Sequence, residues 1–207
     1  AAGVAILLTG MFMLEEGFKF FTKGPLQNIL KRATDKLYKS ITAGAAVTAL
    51  IQSSSLVSVI TISFISAGLI SLSGRLGLLF GANIGTTATA WLVAGFGLKI
   101  KISALAMPML VFGVVFSFQK SVTLKGVGNV LAGLGFFFLG IHFMKEGFDV
   151  FKNYIDLSQY AISGYLGVLI YTALGIVITT ILQSSSATLA LILTALAAGQ
   201  IEYENAL

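Results

Sequence analysis

Gln52-Ser53-Ser54-Ser55 and Gln183-Ser184-Ser185-Ser186 are two tetrads of neutral hydrogen-bonding side chains, each set inside a long apolar stretch. Their chemistry is coordination rather than bond-making. Ser hydroxyls, the Gln amide and helix N-terminal N–H groups can donate to an anion, while Ser and backbone carbonyl oxygens are neutral ligands for Na+. A third stretch, GANIGTT at 81–87, adds uncharged oxygens from Asn83, Thr86 and Thr87. Within it, Gly81 and Gly85 permit unusual dihedrals or close backbone approach. Helix packing is the competing reading for both features, because small and hydroxyl residues also line helix contacts in membranes. A serine hydrolase is a poor fit: no G-x-S-x-G elbow occurs, and the lone His142 lacks an evident relay carboxylate. No catalytic residue is assigned, and the chain is read as a non-enzyme.

Elements able to hold such groups follow from composition. The 207 residues are 57% hydrophobic and 10% charged, against about 25% charged in soluble domains. Most charges are gathered into short stretches, leaving apolar segments near the ~20 residues that a bilayer crossing needs. The chain is expected to be an all-α polytopic membrane protein of the cell membrane, the inner membrane in a bacterium, in contact with lipid. With no cysteine, disulfides and thiolate metal sites are excluded. The net charge of +5 carries no nucleic-acid partner, because in a membrane protein the placement of Lys and Arg matters more than their sum. The sequence opens directly on apolar residues, and no secretory signal is expected within it.

Six apolar blocks are legible, at 1–21, 41–71, 76–97, 102–118, 126–144 and 164–199. The polar stretch 22–40 separates the first two, its Leu26, Ile29, Leu30 and Leu37 fitting an amphipathic helix at the interface. An internal repeat organises these blocks. GMFMLEEGFKFF at 10–21 returns as GIHFMKEGFDVF at 140–151, and TALIQSSSLVSV at 48–59 as TTILQSSSATLA at 179–190. AGLI at 67–70 returns as AGQI at 198–201, so the offset is 130 or 131 throughout. The first repeat is assigned to 1–125 and the second, incomplete, to 126–207. At the same offset a second GANIGTT is expected to begin near position 212 (81 + 131), past Leu207.

Charge orients the two units. Residues 22–40 carry Lys23, Lys31, Arg32, Lys36 and Lys39 against Asp35, whereas 145–163 carry Lys145 and Lys152 against Glu146, Asp149 and Asp156. The positive-inside tendency places these equivalent stretches on opposite sides, which makes the repeats inverted. If 76–97, 102–118 and 126–144 each cross once, block 41–71 enters and leaves on one side. A straight helix of its length would run ~46 Å, too long for the bilayer, so a helical hairpin turning at QSSS is expected there and again around 164–199. Lys99 and Lys101 fall on the outer side in this count, against the tendency. Paired discontinuous elements at matching places in inverted repeats point to a transporter's midplane site.

QSSS once per half, with GANIGTT after the first copy, resembles the sodium/phosphate cotransporter family. That resemblance covers essentially the whole chain. It implies two QSSS hairpins facing each other around a central site for inorganic phosphate and Na+. Carried onto this sequence, it sets Gln52, Ser53, Ser54 and Ser55 opposite Gln183, Ser184, Ser185 and Ser186 as phosphate ligands. Ser54, Asn83, Thr86, Thr87, Ser185 and Thr188 are the implied Na+ ligands, with Gly81 and Gly85 as backbone-permissive positions. The implied activity is Na+-coupled phosphate symport by alternating access, with Na+ as coupling ion and no other cofactor; a homo-oligomer is compatible with it. Alternatives are carriage of another oxyanion such as sulfate or arsenate, or a non-transporting scaffold or sensor. Glu16 and Glu146 are read as interfacial structural groups, His142 as a minor candidate for proton coupling, and Arg75 as snorkelling at a helix end.

Overall fold

The computed structural model describes residues 2–22, 28, 30, 33–97, 103–152, 162 and 164–206. Among them every regular element is helical. The order is α1 (Ala2–Thr22), a 3-10 turn (Ala33–Asp35), α2 (Leu37–Ile51), α3 (Ser54–Ser66) and α4 (Leu72–Leu92), which runs on into a π turn (Val93–Gly97). Then come α5 (Ser103–Ser117), α6 (Val122–Lys152), α7 (Gly164–Leu182), α8 (Ser185–Ala197) and the short α9 (Tyr203–Ala206). The 125/126 boundary expected between repeats falls in the first turn of α6. Much of the polar stretch 22–40 lies outside the described residues, Leu26 and Ile29 with it, as do Lys99, Lys101 and 153–161. Of the expected interfacial face, Leu30 is fully buried and Leu37 is exposed.

Length sorts the helices. Leu72–Gly95, Val122–Val150 and Gly164–Leu182 are long and apolar enough to cross a membrane. The 15 residues of α2 and 13 of α3 give only ~22 and ~20 Å at 1.5 Å per residue, short of ~30 Å of hydrocarbon. The first tetrad thus joins two short helices. The second follows α7, whose 19 residues reach ~28 Å.

The second arms end alike. After α3, Gly68 takes φ 66 while its N–H bonds to Ile65 O (3.0 Å) and the Leu69 N–H to Phe64 O (2.9 Å). After α8, Gly199 takes φ 66, with matching bonds to Leu196 O (3.0 Å) and from Gln200 to Ala195 O (3.0 Å). Both are glycine-terminated Schellman stops.

The most extensive helix pair is α1 on α6, with α2 on α4 and α5 on α6 next. Small residues set these approaches. A Cβ on Gly3 would meet Met144 N at 2.7 Å, one on Gly17 Val130 N at 2.7 Å, and one on Gly133 Leu14 N at 2.6 Å. The register therefore runs antiparallel. In its middle, Gly10 lies against Phe137 and Gly140 against Leu7. Lipid tails are as apolar as leucine, so close packing rather than solvent exclusion drives such association.

Two buried clusters result. Leu30, Val47, Ile51, Val57, Phe64, Ile70, Leu78 and Ala82 unite α2, α3 and α4. Leu7, Leu14, Val93, Phe137, Ile141, Met144, Ala187 and Ala190 unite α1, α6 and α8. Outside, large apolar side chains are bare, with Trp91 76%, Phe118 84% and Tyr165 94% exposed. A surface of that kind belongs in lipid, since soluble monomers do not present such extensive apolar area.

Candidate functional site: a cleft lined by both QSSS segments

Each tetrad breaks a helix in the same way. Gln52 has φ 59 and ψ 24, the left-handed region, and its N–H bonds to Thr48 O at 2.7 Å, closing α2. Ser53 then caps α3, its hydroxyl accepting the Leu56 N–H at 3.3 Å. In the second copy Gln183 has φ 51 and Ser184 caps α8, accepting from Ala187 N–H at 3.2 Å. Among the described residues these two glutamines are the only non-glycine residues with positive φ. Glycine is the usual occupant of such a stop, so a glutamine held there at about 1–2 kcal/mol points to a use for its side chain.

The two breaks meet. Gln52, Ser53, Ser54 and Ser55 line one cleft of about 280 Å³ together with Gln183, Ser184, Ser185 and Ser186. Leu8, Met11, Phe12 and Glu15, one face of α1, and Leu182 complete it. The volume admits a tetrahedral oxyanion with several waters, each of ~30 Å³. α3 begins at Ser54 and α8 at Ser185, so both helices start at the cleft wall. The leading N–H groups of a helix lack intrahelical partners and carry about half a positive charge. Two such ends at one cleft, amid hydroxyls, favour an anion. A larger groove of about 630 Å³ runs along α7 past Val168, Tyr171, Gly175 and Thr179. It is closed by Ile192 of α8 and by Glu204, Asn205 and Ala206 of α9 and contains neither tetrad, so the smaller cleft, which holds both, is the candidate site.

The hydrogen bonds distinguish the copies. Gln52 Nε2 donates to Ala49 O (2.6 Å), and its Oε1 accepts from the Thr89 hydroxyl (2.6 Å). Gln183 is exposed and has no such bond among the described residues. Ser53 and Ser55 hydroxyls lie 3.3 Å apart. Thr188 is buried, its hydroxyl donating to Ser184 O (3.0 Å) and accepting from Thr179 (3.1 Å). Thr48, the repeat mate of Thr179, is buried without a side-chain partner. The cause is in the sequence, because the first copy has Val57 where the second has Thr188.

The third stretch is placed differently. α4 runs unbroken through 81–87, so Gly81 and Gly85 supply close approach rather than special dihedrals. A Cβ on Gly81 would strike the Ile41 carbonyl oxygen, and one on Gly85 the Ala45 oxygen at 2.5 Å. Asn83 and Thr87 are exposed, and Asn83, Thr86 and Thr87 are not among the cleft's lining residues. The Thr86 and Thr87 hydroxyls donate back to Ala82 O (3.0 Å) and Ile84 O (2.7 Å). Thr89 and Glu15 were not singled out by sequence reasoning. Thr89 continues the 81, 85, 89 face at helical spacing, and Glu15 the 8, 11, 12, 15 face; both signals were available. Arg75 bonds to Ile70 O (3.3 and 3.2 Å), and His142 lies 3.5 Å from Glu146 on an exposed part of α6, neither lining the cleft.

Thr89→Val keeps the shape and removes the donor to Gln52 Oε1. We expect a loss of about 1–2 kcal/mol, read as a drop of several degrees in thermal midpoint, with Thr89→Ser restoring most of it.

Bare apolar flanks around a polar cleft between helix breaks define a membrane protein, helical in every regular element among the described residues. The chain belongs to the Na+/Pi-cotransporter family, whose profile matches residues 6–146. A Bacillus subtilis (strain 168) protein, "Uncharacterized protein YqeW", is 28% identical over 99% of this chain and 65% of its own length. "Putative inorganic phosphate export protein YjbB" of Escherichia coli (strain K12) is 29% identical over all of this chain and 37% of its own length. The chain thus spans between about a third and two thirds of these relatives. No solved structure matches it.

Proposed function

We propose that the protein carries inorganic phosphate across the membrane, coupled to Na+, with both held between the QSSS segments near mid-bilayer. The observation that carries this reading is the meeting of two capped helix starts, Ser53–Ser55 and Ser184–Ser186, in one cleft. Family membership and the E. coli relative's printed name support phosphate as the oxyanion. Each segment is the tip of a re-entrant hairpin, 41–71 and 164–199, in inverted repeats 1–125 and 126–207. Three observations support that topology. The breaks and the glycine stops recur in kind; the flanking charge inverts; and the seam pairs Gly10 with Phe137 and Gly140 with Leu7, contacts that exchange repeat mates.

Phosphate is held by Gln183, the serine hydroxyls and the leading N–H groups of α3 and α8. Gln52 acts chiefly as a strut, since Ala49 and Thr89 already engage its amide. For Na+, Ser54 and Ser185 reach the cleft, whereas Asn83, Thr86 and Thr87 contribute only if the helices move. Thr188 is tied to Ser184 and Thr179 and positions the second tip. Na+ binding neutralises and orders the site, phosphate follows, and rocking of the two units exposes the cleft to the other side. Each net positive charge moved inward gains about 2.3 kcal/mol per 100 mV.

The test is phosphate flux in proteoliposomes made with the complete protein, in both directions because one relative is named for export. Flux that follows an imposed Na+ gradient is expected. Gln183→Ala should cut it at least about tenfold, the equivalent of 1.4 kcal/mol. Flux indifferent to Na+ overturns the coupling; normal flux in Gln183→Ala overturns the site. Equal flux of sulfate would make the carrier a general oxyanion one.

A further inference from the structure

Among the residues lining the QSSS cleft, Glu15 alone is ionisable. It stands on the α1 face that closes the cleft, its side chain 27% exposed, with Lys19 Nζ 3.4 Å from its carboxylate. Lys19 is the more exposed partner at 46% and does not line the cleft. Glu15 thus shares the cleft lining with hydroxyls, amides and helix starts that otherwise favour an anion. A phosphate entering there meets a negative charge in a partly desolvated space, where repulsion is screened far less than in water. Lys19 balances that charge only from outside the cleft, so a group inside the cleft is what can offset it at the site itself.

The surroundings say what neutralises it. Hard monovalent cations take oxygen ligands, and the cleft offers a carboxylate with serine hydroxyls and the carbonyl ends of α2 and α7 beside Gln52 and Gln183. The repeat does not duplicate this group, because the position matching Glu15 is Lys145. We propose that Glu15 is a cation-binding carboxylate that makes anion occupancy of the cleft conditional on a bound Na+. Lys19 is its resident counter-charge, loosened as the cation arrives. This rests on the reading of the cleft as an anion site and names how that site is regulated.

The complete protein in nanodiscs tests it with two separate readouts. One is equilibrium binding of labelled inorganic phosphate, with Na+ present or replaced by choline. The other is the thermal shift produced by Na+ without phosphate, which reads the cation site alone. In the wild type, Na+ should raise phosphate affinity about tenfold or more, and Na+ alone should raise the thermal midpoint. Glu15→Gln should bind phosphate without Na+ about as well as the wild type does with it, and should lose the Na+-induced shift. Lys19→Gln should lower the Na+ concentration needed for half-maximal phosphate binding several-fold, which keeps the proposal testable if Glu15→Gln fails to fold. Wild-type Na+ dependence in either variant overturns the proposal. If no protein binds phosphate while a Glu15-dependent Na+ shift persists, the cation site stands and the anion reading fails instead.

Discussion

Gly10→Val is expected to pry α1 from α6 and to destabilise the fold severely. A Cβ at that position would strike Phe137 N and lie 2.7 Å from Gly133 O, both backbone atoms of the facing helix. Backbone cannot swing aside as a side chain does, so the helices must separate along a seam that continues through Gly3 and Gly17. Overpacking of this kind costs typically 1–3 kcal/mol and occasionally more; with two further methyls to place, about 3 kcal/mol is expected here. At roughly 2–4 °C per kcal/mol for a chain of this size, the thermal midpoint should fall by roughly 6–12 °C. Gly147 is the control. It is the repeat mate of Gly17, yet a methyl added there would have nothing within 4 Å, so Gly147→Ala should be neutral or gain up to about 1 kcal/mol of helix propensity. An unchanged midpoint in Gly10→Val would mean that the seam is not tightly packed.

Gln183→Gly and Gln52→Gly should separate stability from binding. Both glutamines hold positive φ, 51 and 59, at about 1–2 kcal/mol for an L side chain. Glycine removes that cost and brings back about 0.5–1 kcal/mol of unfolded-state entropy. Gln183→Gly, with no hydrogen bond to lose among the described residues, should therefore gain about 0.5–1 kcal/mol while losing most phosphate binding. Gln52→Gly forfeits the Thr89 bond at 2.6 Å and strands a buried hydroxyl, a loss of about 1–3 kcal/mol that cancels or exceeds the gain. Thermal midpoints and phosphate binding on the same samples check this. A destabilised Gln183→Gly would refute the strain assignment; unchanged phosphate binding in both would remove the cleft from the proposed transport mechanism.

The tetrads were legible because a polar run repeated at one offset stands out against apolar sequence. The structure brings both copies to one cleft. The left-handed glutamines were not legible, since Gln has no preference for that region and only the two-residue gap between helices forces it. The polar members of GANIGTT, adjacent in sequence, stand apart from the cleft for a geometric reason. At 100° per residue, Asn83 and Thr87 lie roughly 120–160° around the helix from Gly81 and Gly85, so glycines that press on α2 turn those polar groups outward. For Glu15 the information lies in its position on the Leu8–Met11–Phe12 face of α1 rather than in its charge. The unequal arms before the two tetrads follow from α7, whose apolar run extends further back than that of α2.

The α1–α6 seam has a bearing on how the two proposed repeats fit together. Gly10 rests on Phe137 and Gly140 on Leu7, and both members of one pair are the repeat mates of the other. Self-complementary contact of this sort is what two identical subunits make across a two-fold axis. In the proposed inverted-repeat reading, the seam has the form that two copies of one short chain would make. On that reading each half carries the surface the other docks on, and the Glu15/Lys145 position is where the two copies differ in charge.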